Sequence, residues 1–507
     1  MAIAHVESVV IQGLDGQAID VEVDLGLGLP NFTIVGLPDK AVEEAKERIR
    51  SAIKNSGLHF PQHRLTINLA PADVRKFGSG YDLPMALGIV AALGQIPHES
   101  LQTAFFLGEL SLGGDVRPIS GVLPAAMYAA STAKKVLFVP SENSVEAALI
   151  HHVTVYPVKS LAEVVMHLRG EKLIRAVPPT NWHATETRVP SVDLASIRGQ
   201  SQAKRALEIA AAGGHNMLMS GPPGSGKTLL AKAFADVLPA MGEPEIFEVT
   251  KLYSIAGLLQ PKDPVVTTRP FRSPHHTAST ISLIGGGQWP RPGEISLAHR
   301  GVLFLDEFPE FTRGTLESLR QPLEDGVVTV SRASGSLSFP AKFILMATQN
   351  PCPCGYLHDP VKACRCSPHE INRYYRRLSG PLLDRIDLHI TVPRVSVDEL
   401  SGTHSTQEST QTVRGRVERA RQVQQKRFEG SSILINSEMT VPMIEKYCRL
   451  GQESQQLLNA AVNRLGLSAR TYHRVLKVAR TIADLNQAAE IIPTHIAESL
   501  QFREFQR

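Results

Sequence analysis

Cysteine is scarce in this chain of 507 residues: there are five, and four of them fall in one stretch, NPCPCGYLHDPVKACRC, from Asn350 to Cys366. That distribution excludes the scattered bridges of a secreted fold and leaves thiols or metal ligands in a reducing compartment. Long apolar runs are missing as well. Leu83 to Leu93 is too short to span a bilayer and is interrupted by Pro84, and MAIAHVESVV has no basic region ahead of an apolar stretch. We therefore expect a cytoplasmic protein with no membrane partner. An excess of charge is lacking too, since 53 Lys and Arg against 49 Asp and Glu leave a net charge of +4, which permits a polyanionic partner without demanding one. What is present is apolar content, 43% of residues, over a length that predicts two or three hydrophobic cores.

Residues 1–175 alternate strand-like and helix-like segments. LTINLA (Leu65 to Ala70) and KVLFVP (Lys135 to Pro140) read as buried strands. In PDKAVEEAKERIRSAIKNSG, residues Ala41, Val42, Ala45, Ile49, Ala52 and Ile53 share one helical face, and Gly57 suits a stop. Proline and threonine without a period mark a linker over 176–192, ahead of an α/β unit over 193–400. A second polar tract, 401–412, precedes an all-helical part over 413–507.

The sharpest signal is GPPGSGKT, made of Gly221, Pro222, Pro223, Gly224, Ser225, Gly226, Lys227 and Thr228, with apolar NMLMS before it and helical LLAKAFADVL after. Strand, glycine-rich turn and helix make a phosphate loop for ATP: backbone N–H groups converge on phosphate oxygens, Lys227 reaches the β and γ oxygens, and the Thr228 hydroxyl faces Mg²⁺. GVLFLDEF then delivers Asp306 as a magnesium ligand and Glu307 as the base that orients and deprotonates the attacking water. Asn350 ends the buried strand PAKFILMATQN; spacing alone leaves it either a contact to the γ-phosphate or a plain turn residue.

With RPFRSPHHT, LIGGG, PRPGEISLAHRGVLFLDEFPEF and LLDRIDLHI, these residues resemble the magnesium-chelatase branch of the AAA+ ATPases, and the whole chain resembles the ComM (YifB) family within it. The resemblance implies a homo-oligomeric ring, usually a hexamer, with ATP between neighbours. It places Arg385 as the arginine finger acting on the neighbour's ATP, Arg470 as the sensor-2 arginine of the helical lid, and Asn350 as sensor 1. By composition alone Arg385 could pair with Asp384 or Asp387. KFGSGYDLPMALGIVAAL and LGELSLGGDVRPISGVLPAAMYAA are similar to the Lon-protease (S5-like) α+β fold. There the nucleophile's place falls on Gly80 and the base's on Leu123, with Ser79 one residue away, so peptidase activity is not expected.

The function implied is that of an ATP-driven ring motor on single-stranded and branched DNA, with helicase or branch-migration activity that extends recombination joints during natural transformation. Two alternatives stand beside it: a metal chelatase subunit inserting Mg²⁺ into a porphyrin, for which the chain has no D-x-S-x-S site, and an AAA+ protein remodeller. For DNA contact, Arg269, Arg272 and Arg291 supply charge and Trp289 a stacking face in a central insertion. Arg332 lies at or near the turn of the hairpin DGVVTVSRASGSLSFPAKF, placed for sequence-independent phosphate contact. The basic run Arg414 to Phe428 is a secondary candidate. Finally, Cys352, Cys354, Cys364 and Cys366 form two C-x-C pairs that can complete a tetrahedral Zn²⁺ site, with His358 as a substitute ligand; free thiols or a redox pair are the alternative. Cys448 reads as a core residue.

Overall fold

The computed structural model describes residues 3–180, 182, 191–286, 291–332, 335–395, 407–431 and 433–503. The N-terminal part is built on a seven-stranded sheet in the order Asn31–Val35, Arg64–Ala70, Asp15–Gly26, Ala4–Gln12, Phe105–Phe106, Val136–Pro140, Thr154–Val158. Strands Ala4–Gln12 and Asp15–Gly26 form an antiparallel hairpin, and their alternation sends side chains to opposite faces. Val6 and Val10 join one core with the helices Lys40–Asn55 and Asp82–Ala92, while Val9 joins a second core with the helix Val122–Ser131.

Helix Lys40–Asn55 follows from its local sequence. Asp39 caps it by accepting from the Val42 N–H at 2.7 Å, and Val42, Ala45, Ile49, Ala52 and Ile53 are buried on one side. Gly57, at φ 73°, takes the left-handed conformation that ends it. Of the tract 176–192, Val177 and Thr180 are tied to the N-terminal part, donating to Val155 O and Ala148 O, each at 2.9 Å.

The central part carries a five-stranded, all-parallel sheet in the order Phe271–Arg272, Val302–Leu305, Ile344–Gln349, Met217–Ser220, Leu388–Thr391. The strand interiors are mostly apolar because both faces are covered, with Thr348 and His389 the buried polar exceptions among the described strands. Met217, Met219, Val302, Phe304 and Met346 meet the helices Ser201–Gly213 and Lys227–Val237, whereas Leu218, Leu303, Leu305 and Leu345 join a core with Leu252, Ile295 and Phe308. Parallel strands place all their C-terminal ends along one edge, where a crevice collects the loops that follow.

The C-terminal part is helical. Helix Thr410–Arg427 lays Val413, Val417 and Ala420 on the central core, and Ala469–Leu485 packs with Gln452–Leu465 and Pro493–Gln501 around a separate core that includes Cys448. Basic side chains of Thr410–Arg427 are largely spent inside the fold: Arg414 donates to Asp236 O, Arg421 to Ala211 O, and Arg427 binds Asp484. The sequence reads this run as a candidate DNA surface. Burial instead pushes the Arg421 guanidinium down to about 9, because the helix must pack on the core to hold the lid in place.

Candidate functional site

The phosphate loop leaves the C-terminal end of strand Met217–Ser220 and enters helix Lys227–Val237. Its geometry depends on glycine: Gly224 and Gly226 sit at φ 78° and 90°, and a Cβ added to either would point into open space rather than into protein. At Gly221 a Cβ would instead meet Val392 O at 2.2 Å. The open cradle above Gly224 and Gly226, the Ser225 hydroxyl that is buried without a hydrogen-bond partner, and the N-terminus of helix Lys227–Val237 fit a chain of phosphates.

Around the cradle the structure brings together the residues read from the motifs. Lys227 Nζ donates to Gly221 O at 2.6 Å, Pro222 O at 3.0 Å and Asn350 Oδ1 at 3.4 Å. Burial lowers its ammonium to about 8, against the pull of Asp306 and Glu307. Thr228 Oγ1 donates to Asp306 Oδ2 at 3.2 Å, a hydroxyl and carboxylate pair of the kind that holds Mg²⁺ beside a nucleotide. The acidic strand is not the immediate neighbour of the phosphate-loop strand. Strand Ile344–Gln349 lies between them, which is why Asn350 at its end reaches Lys227.

Glu307 adopts φ 52°, a left-handed backbone that costs a non-glycine residue about 1 kcal/mol. Its N–H is fixed by Asp306 Oδ1 at 3.2 Å and Thr348 Oγ1 at 3.1 Å. The Glu307 carboxylate remains open to water and faces His276 Nδ1 at 3.7 Å. Thr348, which also bonds Asp306 and is almost fully buried, escaped the motif reading. Its signal was a hydroxyl in the otherwise apolar run ILMA before Asn350.

Arg385 and Arg470 form a different cluster. Both donate through Nη2 to the carboxylate of Glu324, Arg470 at 2.7 Å, so Arg385 pairs with neither Asp384 nor Asp387. Asp387 is buried instead against Arg474 and His215, which outweigh desolvation and hold its carboxyl far below the usual range. The Asp387 N–H donates to Asn216 O at 3.0 Å, just before strand Met217–Ser220. Arg385 and Arg470 are therefore anchored at the N-terminal edge of the sheet. The phosphate loop leaves the opposite edge, a four-residue strand of roughly 13 Å away.

The four clustered cysteines converge. Cys352 Sγ lies 3.4 Å from Cys354 Sγ and 3.6 Å from Cys364 Sγ, and all four sulfurs are within 4.8 Å of one another, whereas His358 is not in the group. Backbone N–H groups of Cys354 and Cys366 point at Cys366 Sγ and Cys364 Sγ, 3.4 and 3.5 Å away. Tyr375 Oη on Pro351 O at 2.8 Å and Arg394 on Asp359 at 2.7 Å pin the loop from outside.

Charges assigned to DNA are placed unevenly. Arg269 binds Glu245 at 2.9 Å and Arg272 binds Glu294 at 2.6 Å, so both are internal ion pairs. Arg291 is exposed and lines a 620 Å³ cavity between the N-terminal and central parts, together with Ser79, Gly80 and Leu337. Trp289 lies outside the described residues. Strand Val327–Arg332 pairs with Gly335–Pro340, and Arg332 opposite Gly335 is its last registered pair; the Arg332 side chain is outside what is described. In the N-terminal part, Leu123 is fully buried and Ser79 Oγ hydrogen-bonds Glu109.

Relatives match the chain over its full length. The chain is 44% identical to Competence protein ComM of Haemophilus influenzae over 511 residues, covering 100% of this chain and 98% of that protein. It belongs to the ComM/YifB family. YifB of Escherichia coli is 41% identical over 507 residues, again across 100% and 98% of the two chains. Family models described as magnesium chelatase subunit ChlI match residues 193–400 and 21–143, and one described as its C-terminal part matches 407–503. The family is thus AAA+ and magnesium-chelatase-like, which implies ATPase chemistry with Mg²⁺. No helix among the described residues is long and apolar enough to cross a membrane.

Proposed function

We propose that this protein is a ring-forming ATP-driven DNA motor that unwinds or branch-migrates recombination intermediates as transforming DNA is integrated. One observation carries the reading: Arg385 and Arg470 stand at the sheet edge opposite this chain's own phosphate loop, so as catalytic cations they require the nucleotide of another copy. Head-to-tail repetition of that relationship generates a ring. The competence protein among its full-length relatives supplies the biological setting.

ATP, with Mg²⁺, supplies the phosphoanhydride whose cleavage does work. The glycines of the loop and Lys227 grip phosphates, Thr228 and Asp306 hold the metal, and the solvent-facing Glu307 orients and takes a proton from water. Asn350, hydrogen-bonded to Lys227, reports occupancy of the γ position. Arg332 on the hairpin and exposed Arg291 contact the DNA backbone without reading sequence. The cysteine loop holds a structural Zn²⁺, for which four converging sulfurs suit a closed tetrahedral site. Identity to a magnesium chelatase 67 kDa subunit of Heliobacterium mobile is 28% over 40% of the chain, against 44% over the full length for the competence protein, which favours the motor over the chelatase reading. Strand displacement on forked and four-way DNA is the test: ATP-dependent product supports the motor, and its absence with active ATP turnover contradicts it.

A further inference from the structure

The two arginines that would serve a neighbour are both engaged within the folded chain. Arg385 has a side chain only 7% exposed, with Nη1 on Pro381 O at 2.7 Å and a buried Nε that has no partner. Arg470 is 46% exposed. One oxygen of Glu324 takes each of them. Burial raises the Glu324 carboxyl, yet the hydrogen bond from Arg385 and the charges of Arg385, Arg470 and Arg474 outweigh it and hold the group ionised.

The position of Glu324 in the chain gives this pairing a second end. It lies in the helix Arg320–Asp325, and a single residue, Gly326, separates that helix from strand Val327–Arg332 of the hairpin. Gly326 takes φ 66°, and its carbonyl accepts from the Ala341 N–H at 2.7 Å, just beyond the returning strand Gly335–Pro340. The helix end that carries the carboxylate and both legs of the hairpin therefore meet at one glycine.

We propose that Glu324 is a positioning residue that transmits the state of the neighbour's nucleotide to the DNA hairpin by competing with its terminal phosphate for Arg385 and Arg470. The proposal rests on the reading above, in which those arginines act across the subunit interface. Carboxylate and phosphate oxygens accept from the same guanidinium donors, and both arginines spend Nη2 on Glu324, so a terminal phosphate that takes those Nη2 ends must displace the carboxylate. With phosphate engaged, Glu324 loses both partners and the end of its helix is released together with the hairpin; with phosphate gone, the carboxylate recaptures them. The Glu324 end of each pair is 44% exposed, so water can replace a departing guanidinium there, which is what exchange on every cycle requires. The differential contact supplies the free-energy difference without which no ligand shifts a conformational equilibrium.

The test compares full-length Glu324→Gln, Glu324→Asp and Arg385→Ala proteins for ATP turnover with and without poly-dT, and for strand displacement on a fork. Glu324→Gln is expected to turn over ATP within about threefold of the parent without DNA, since only a screened pair is removed. It is expected to lose stimulation by poly-dT and roughly tenfold of its displacement per ATP consumed, a coupling of ordinary allosteric size. Glu324→Asp should fall between the two, and carries the test alone if Glu324→Gln melts early. Parent-like stimulation and displacement per ATP in these variants would overturn the proposal, as would a loss of turnover equal with and without DNA. Arg385→Ala separates the layers: parent-like turnover there contradicts the interface reading itself, whatever the Glu324 variants do.

Discussion

Gly355 of the cysteine loop lies against Pro223 of the phosphate loop: a Cβ added to Gly355 would stand 2.6 Å from Pro223 Cδ. Gly355 also sits at φ 84°, where a side chain costs about 1–2 kcal/mol. Gly355→Ala should therefore lower the melting temperature and weaken nucleotide binding together, because relief of the contact must displace the cradle. Titration with a fluorescent ATP analogue checks this; an unchanged affinity contradicts the coupling of the two loops.

The metal prediction follows from the same contact. Intact protein should carry about one zinc per chain, and Cys352→Ser or Cys364→Ser should lose it. Removal by a chelator should then raise the KM for ATP more than it lowers kcat, since the loop braces the phosphate loop rather than the reacting atoms. Elemental analysis of intact protein that finds no zinc removes the site.

Lys227 gives a pH dependence with a definite sign. Its ammonium titrates near 8 in the folded chain against 10.5 ordinarily, so between those values the unfolded chain binds more protons and stability rises with pH. Below pH 8 the full cost of burying the charge is present. Phosphate binding needs that charge, so affinity for ATP should fall by up to about tenfold per pH unit above 8. Lys227→Met should bind weakly with no such limb; a parent affinity flat from pH 7 to 9.5 contradicts the assignment.

Glu307→Gln should retain ATP binding while turnover falls by about 100-fold or more, the usual size of a lost general base. Filter binding beside phosphate release measures both. Equal loss of binding and turnover would show instead that the left-handed backbone at Glu307 had been disturbed.

Much of this was legible in the sequence because the decisive signals are local. The phosphate loop needs consecutive residues between a strand and a helix, and the Asp39 cap and apolar face of Lys40–Asn55 need only helical spacing. The cysteines were legible as two C-x-C pairs, and their convergence adds the closed geometry. What spacing could not give is pairing across the chain. Glu324 meets Arg470 from 146 positions away, and Arg269 and Arg272, charges that spacing offers to DNA, are taken by Glu245 and Glu294. Likewise the basic helix Thr410–Arg427 shows charge in its sequence, but Asp236 O takes Arg414, Ala211 O takes Arg421 and carboxylates take Arg416 and Arg427, leaving Arg419 and Lys426 exposed.

The most direct measurement is ATP turnover by mixtures of Lys227→Ala and Arg385→Ala chains. Each variant alone should be nearly inactive, one lacking the phosphate grip and the other the cation given to its neighbour. In an equal random mixture about a quarter of head-to-tail interfaces pair an intact Lys227 with an intact Arg385, so activity should reappear. A mixture no more active than its components, or Arg385→Ala alone at the parent rate, would contradict a nucleotide site completed by a second copy.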